Sequence, residues 1–455
     1  MPLSKLGVGL PDEGPSNAID PNVYTGPTRV SQYVWPAIDV IGINLALWTV
    51  PFAIGSPWAK TGPKYWKSNF KAGLQWDDNE FEVNQFFHPY QGGMYFTAAR
   101  VNGLTFWEAV PYTAFGSWMW EYFMETEQAS TNDWMTTTWG GFFFGESLYR
   151  LSNRIVDETA SGGSRFWKEF GALAVSPING IDRIGTGRAW ADGPPRKPVP
   201  LLADFRLGID GIGLGKSKGW GQTVRASIRF DYGDPYAKPY IKVPFEAFDL
   251  AVQVNASPDN FGEGFDGTGV LLGKRYGGGG TNVNLLAMVL GYEYFTNATD
   301  EIGKRKSEGT YQLGEIGVGG AWYGRWRLPN DWTVDSKLDL LAVPTGAVTS
   351  PNALYEVNRV YNFGAGGALK AEVNLRQKRL GRLYAEVNRY LYRVVNGVPG
   401  TDNVGVLRLG AYANVYKGHG LGAAAIYYDR SSYYDDYPDL FDHFWSGQAH
   451  YEVEW

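Results

Sequence analysis

From Trp445 to Trp455 the side chains alternate without a break. Trp445, Gly447, Ala449, Tyr451, Val453 and Trp455 fall on one side, and Ser446, Gln448, His450, Glu452 and Glu454 on the other. A repeat of two requires a β-strand with one apolar and one polar face. The repeat recurs through the second half of the chain. Leu407, Leu409, Ala411, Ala413 and Val415 oppose Arg408, Tyr412 and Asn414, and Phe205, Leu207 and Ile209 oppose Asp204, Arg206 and Asp210.

Read this way, residues 201–455 contain strands at 202–214, 224–232, 245–255, 267–276, 283–295, 309–328, 332–343, 363–375, 382–395, 404–415, 421–434 and 444–455. That makes about twelve, an even number, as closed bacterial barrels require. Turn residues separate them, for example at 277–280, 329–330 and 396–397. A soluble sandwich also alternates, but its strands usually run about 5–6 residues. The 29 tyrosines and 18 tryptophans suit a membrane interface, where a ring is half apolar and half wet. The 59 glycines suit tight turns and strand bends. The expectation is a mainly β protein with an α-helical module: a transmembrane antiparallel β-barrel whose N-terminal helices plug the lumen or cap it from the periplasm.

A terminal strand ending on an aromatic residue is the pattern of bacterial outer-membrane barrels. Outer-membrane lipids, and the barrel-assembly machinery through the C-terminal strand, are therefore the expected partners, and the bacterial outer membrane the expected location. Residues 1–5 lack the basic start and apolar core of a signal peptide, so the chain is read as a mature or recombinant form. A net charge of −6 argues against nucleic acid as a partner. With no cysteine, disulfides and thiolate metal sites are excluded. No cofactor is implied, and the oligomeric state is open.

The segment Gly-Pro-Pro-Arg-Lys-Pro-Val-Pro at 193–200 is a stiff connector. The assignment is an extension with an apolar segment at 1–67, a helical module at 68–193, the proline-rich connector at 194–200 and the barrel at 201–455. The apolar stretch 40–54 reads as too short and interrupted for a membrane span. Residues 70–84 read as a hairpin around Trp76-Asp77-Asp78-Asn79. Helices are predicted over 93–102, over 105–127 with Pro111 as a kink or restart, and from a capping box at Ser130–Asp133 to about Arg154. Further short segments fill 164–190. Charges on these helices make lipid-facing positions costly, which favours a plug or cap.

Polar residues concentrate between 84 and 154. Glu121 and Glu125 share a helix face, and Glu146 and Arg150 are spaced for an ion pair. Gly140, Gly141 and Gly145 allow close helix approach. The elements His88-Pro89-Tyr90-Gln91-Gly92, Trp120-Glu121 with Glu125, Ser130-Thr131-Asn132-Asp133, and Gly140-Gly141 through Gly145-Glu146 to Tyr149-Arg150 run in that order. So does a later run, Ser176-Pro177-Ile178-Asn179-Gly180-Ile181-Asp182-Arg183. In these, residues 68–190 resemble the uncharacterised bacterial family called domain of unknown function 3943. The chain departs from that pattern at Gln128-Ala129, where a proline is expected, and at Gln91, where a second histidine is common. A looser similarity runs to VanZ-like membrane helices, which share a histidine, a glutamate helix and a small-residue element.

Two readings of the cluster compete. In one it is a buried polar network with a purely architectural role, comprising Tyr90, Arg100, Asn132, Asp133, Glu146 and Arg150. In the other His88 is a general base or acid oriented by Glu121 or Glu125, with Arg100 or Arg150 holding an anionic lipid headgroup. The corresponding functions are an envelope barrel whose helices plug or gate the lumen, or an enzyme acting on lipid or lipopolysaccharide. No metal site is expected: His419, His443 and His450 lie far from His88 in sequence, and His443 and His450 fall on opposite strand faces. The run Gly215-Lys216-Ser217-Lys218-Gly219 fits a hydrolase elbow by spelling only, since it lies between two strands.

Overall fold

The computed structural model describes residues 30–215, 223–256, 261–277, 281–296, 311–350, 352–357 and 359–455. The hydrolase-like spelling at 216–219, most of the turn at 277–280, and residues 1–5 lie outside them. The chain forms two compact units. The first comprises 1–79 and 83–200; the second comprises Glu80–Glu82 with Leu201–Trp455.

Within the second unit, strands β1 (Leu201–Gly215), β2 (Thr223–Tyr232), β4 (Phe248–Ala256), β5 (Phe261–Tyr276), β6 (Asn282–Thr296), β7 (Gln312–Arg327), β8 (Trp332–Thr349), β9 (Tyr361–Gln377), β10 (Gly381–Asn396), β11 (Gly400–Tyr416), β12 (His419–Tyr434) and β13 (Leu440–Glu454) each pair antiparallel with the next. β13 returns to β1 in the register Phe205↔Val453, Leu207↔Tyr451, Ile209↔Ala449, which closes a barrel of twelve strands. The two-residue strand β3 (Tyr240–Ile241) pairs with β5 at Lys274 and Gly273, beyond the point where β4 ends. Closure pairs each of the twelve long strands on both sides. A five-residue helix, α8 (Ala353–Val357), sits between β8 and β9.

The two faces divide as the alternation requires. Leu207, Ile209, Leu340, Leu383, Leu421 and Trp445 point outward and are exposed, while Asp204, Asp210, Asp339, Ser446 and Glu452 point inward and are buried. Apolar side chains outside and polar ones in the lumen are the pattern of outer-membrane barrels. His443 is exposed on the outer face and His450 lines the lumen beside Glu452, as their spacing predicts.

The lumen holds ion pairs, some between neighbouring strands and some between strands further apart: Arg225–Asp210 at 2.7 Å, Lys337–Asp249 at 2.9 Å, Arg382–Glu452 at 2.7 Å, Arg408–Glu386 at 2.8 Å, and Lys370 between Glu293 and Glu315 at 2.9 Å each. All of these residues except Glu315 and Glu452 line a cavity of about 230 Å³. Next to this charged belt, inward-facing Leu285, Val289, Leu341, Val343, Tyr390, Tyr392 and Val404 form one buried apolar cluster. Phe81, grouped with the barrel, is fully buried, with its ring 5.5 Å from that of Tyr294 and 5.3 Å from that of Tyr361.

The first unit is helical: α1 (Ser31–Ala53), α2 (Pro63–Ala72), α3 (His88–Val101), α4 (Phe106–Met119), α5 (Thr131–Ile155), α6 (Gly162–Val175) and α7 (Pro177–Gly185). Three expectations need correction. The apolar stretch belongs to a 23-residue helix, α1, that carries Pro36 and Pro51 within it. No hairpin forms over 70–84: Gly73, at φ 69°, ends α2, and the chain then makes a single parallel bridge, Gln75↔Ser130. The segment is held by the start of α5 and not by a partner strand of its own. Pro111 leaves α4 unbroken; the helix instead begins on a Thr105–Glu108 capping box and gives way to a five-residue π turn, Trp120–Met124.

α3 and α5 cross at glycines. A Cβ on Gly92 would lie 1.8 Å from the carbonyl oxygen of Thr137, and one on Gly141 would lie 2.6 Å from the carbonyl carbon of Gly92. The small-residue stripe is what lets these backbones touch.

Candidate functional site

The first turn of α5 organises one polar cluster. Ser130 is its N-cap, and its hydroxyl accepts the Asp133 N–H at 3.1 Å. The Asn132 amide donates to Asp77 Oδ1 at 2.6 Å and to Asp133 Oδ1 at 2.9 Å, and its carbonyl accepts the Asp77 N–H at 3.2 Å. Asn84 also donates to Asp77, at 3.0 Å. His88 Nε2 lies 3.5 Å from Asp133 Oδ2, and its Nδ1 is buried without a hydrogen-bond partner among the described residues. Glu121 Oε2 accepts the Ser130 N–H at 2.7 Å.

Two π turns deliver these groups. Val83–Phe87 ends where α3 starts at His88, and Trp120–Met124 carries Glu121. Such turns are rare and frequent at functional sites. Each changes the direction in which the next side chain leaves the helix.

The electrostatics follow from burial. Burial, followed by the neighbouring Asp133, pushes Asp77 up to about 7. Burial pushes the His88 imidazole down to about 4. Glu121 and Glu125 are both held well above the ordinary carboxylate range, first by burial and next by other carboxylates, Glu125 for Glu121 and Asp133 for Glu125. Near neutral pH His88 is therefore an uncharged imidazole beside a carboxyl pair that can share a proton, rather than half of an ion pair.

Arg100, Glu146 and Arg150 form a separate cluster. Glu146 is fully buried, with Oε2 2.7 Å from Arg100 Nε and Oε1 2.7 Å from Arg150 Nε. Arg100 also donates to the Leu104 carbonyl and lies 5.1 Å from the Tyr149 ring centre. Thirteen residues of α5 separate Asp133 from Glu146, about 20 Å along the axis. The structure thus brings His88, Glu121 and Asp133 together, with Glu125 feeling the charge of Asp133, but places Arg100 and Arg150 on another carboxylate.

Tyr90 is half-buried and packs its ring near Phe86 and Phe144. Gln91 donates to the Tyr95 hydroxyl, which donates to Asn44, whose amide reaches the Gly116 carbonyl at 3.2 Å.

Sequence reading missed Asp77, because its segment, Trp76-Asp77-Asp78-Asn79, has the composition of a turn. It also missed a third network, in which Arg183 pairs with Glu169 at 2.8 Å and Glu158 at 3.0 Å, and Arg165 pairs with Glu169 at 2.9 Å. The spacing of Arg165 and Glu169 was the available signal.

Residues 73–178 match the model of the family described as Domain of unknown function (DUF3943). No curated protein matches the chain. Among solved structures, the chain is similar to the beta domain of the Bordetella autotransporter BrkA, at 17% identity over 56% of this chain and 98% of that one, with a TM-score of 0.26. It is also similar to the translocator domain of the autotransporter NalP from Neisseria meningitidis, at 14% identity over 64% and 99%, TM-score 0.23. A third is the Pseudomonas putida toluene transporter TodX, at 9% identity over 56% and 88%, TM-score 0.25. The barrel assignment rests on the strand pairing and the two faces described above.

Proposed function

We propose that this chain is an outer-membrane protein whose barrel is shut at rest and whose N-terminal helices act as the plug or gate module, serving passage or maintenance of envelope components. The observation that carries the reading is the occupied lumen. Among the described residues, a belt of ion pairs and the apolar cluster around Tyr390 and Tyr392 fill lumen space beside a cavity of about 230 Å³. Passage through such a lumen needs a change of state, and a change of state needs a module that controls it.

The enzyme reading asks for a reachable base. His88 is 6% exposed and Glu121 2% exposed, which supports a structural and protonic role for the polar cluster. In planar bilayers the full-length protein is expected to stay closed, and Tyr390→Ala with Tyr392→Ala to open stepwise conductance. Removing residues 1–193 from a barrel that still folds is expected to raise solute flux. Steady conductance by the unaltered protein would remove the gating reading. A changed lipid A mass profile in a deletion strain would restore the enzyme.

A further inference from the structure

We infer that the outward stripe of α1 is a lipid-contacting surface, seated against acyl chains. The inference stands apart from the gating reading and rests on an inverted distribution of polarity. Three polar side chains along the helix, Gln32, Asp39 and Asn44, turn to protein partners. Gln32 donates to the Asn102 carbonyl at 3.3 Å, Asp39 accepts from the Asn102 amide at 2.7 Å, and Asn44 reaches Gly116 and Tyr95. Val34, Ile38, Ile41 and Leu45 face outward at 51, 46, 37 and 47% exposure.

A helix on a water-facing surface shows the opposite arrangement. Helices in lipid turn their polar groups to protein, because an unsatisfied polar group in hydrocarbon is costly.

Three further observations select lipid over another protein. α1 contains no lysine, arginine or glutamate, and its one aspartate, Asp39, is bonded to Asn102, so the outward stripe itself offers no charge for a partner to read. Its length, about 34 Å, matches the roughly 30 Å of a bilayer's hydrocarbon, and it is long and apolar enough to cross one. Aromatic residues stand near both ends, with Tyr33 and Trp35 exposed toward the start and Trp48 stacked on Phe52 at 4.5 Å toward the finish. That is where membrane helices place them. The same chain carries a barrel whose outer face already requires a bilayer, so lipid is at hand.

The absence of cysteine makes the test direct. Single substitutions Ile38→Cys, Ile41→Cys and Leu45→Cys in the full chain would be spin-labelled and reconstituted in phosphatidylethanolamine/phosphatidylglycerol vesicles. Lys60→Cys serves as the water reference and Val40→Cys as the buried one. Heat-modifiable gel mobility confirms that each barrel is folded. We expect the ratio of oxygen to nickel-chelate collision rates at 38, 41 and 45 to exceed that at 60 several-fold, with position 40 shielded from both reagents. Nickel-chelate access at 38, 41 and 45 equal to that at 60 would mean water. Protection from both reagents there would mean a protein covering, such as a second copy. Either result overturns the inference.

Discussion

The barrel and the helical unit both bury charged groups, yet they do not neutralise all of them in the same way. In the lumen, carboxylates stand opposite arginine and lysine from other strands, as Glu386 opposes Arg408 and Asp249 opposes Lys337. In the helical unit two clusters work this way, around Glu146 and around Arg183. The one around Asp77 and Glu121 does not: its carboxyl groups shift upward under burial and one another's charge. Cross-strand geometry offers a residue of either sign every few ångströms, whereas a helix start brings together what its first turn and the preceding loop happen to carry. Charge pairing serves the lumen and two of the three helical clusters, and protons serve the one around Asp77 and Glu121.

The largest effect should come from breaking a pair that no water can reach. Glu146→Ala leaves Arg100 and Arg150 charged and buried, so the helical unit should lose about 3–5 kcal/mol, read by urea unfolding followed through tryptophan fluorescence in detergent. The comparable change in the barrel, Arg408→Met, borders the lumen cavity, with its side chain 23% and that of Glu386 28% exposed. Water can take the place of the lost partner, and the cost should be about 1 kcal/mol or less. Equal losses at the two sites would mean that the interiors do not differ in the way described.

Gly92→Ala comes next. Its methyl group would collide with the Thr137 carbonyl, so α3 and α5 must separate, at a cost of about 1–3 kcal/mol. The same measurement on Gly447→Ala, where a Cβ meets nothing within 4 Å, should show little change.

The strands were legible because a repeat of two, sustained for ten or more residues, leaves few alternatives. Where the reading stopped short, as at β5, which starts at Phe261 rather than at 267, the alternation runs through Gly262 and Gly264 and carries no side-chain signal. The helices were legible in kind but not in extent. α1 was hidden by its prolines and by Asp39, which reads as an interruption until Asn102 is seen to bond it. For the site, spacing found the α5 cap and the Glu146–Arg150 pair, because both are local. It could not find Asp77, whose partner Asn132 lies 55 residues away, nor tell that Arg100 turns to Glu146 and leaves His88 alone.

The proton-held cluster predicts its own pH dependence. A carboxyl whose folded pKa is raised contributes stability that is lost as pH rises, for Asp77 between about 4 and about 7. His88, lowered to about 4, acts oppositely: its neutral folded form gains stability as pH rises from about 4 toward its ordinary 6.5. Between pH 4 and 6.5 the two nearly offset, and raised Glu121 and Glu125 leave a net fall with rising pH. His88→Gln should steepen that fall and Asp77→Asn should flatten it, measured as unfolding midpoints at half-unit steps from pH 4 to 8. Parallel curves for both variants and the unaltered chain would show that the cluster is not proton-linked.

The smallest effect separates the two units by how they end their elements. A closed barrel satisfies each strand from its neighbours, so no single side chain terminates it. A helix leaves its first N–H groups unpaired and needs a cap. α4 has one: Thr105 accepts the Glu108 N–H at 3.4 Å, while the Glu108 carboxylate accepts the Thr105 N–H at 2.8 Å. The Glu108 carboxyl is held below its ordinary value chiefly by that backbone bond. Thr105→Ala should cost about 1 kcal/mol, and Thr105→Asp should recover most of it. Both changes should move the helical unit's unfolding midpoint and leave the heat-modifiability of the barrel unchanged. A shift in the barrel's transition of the same size would show that the two units unfold as one.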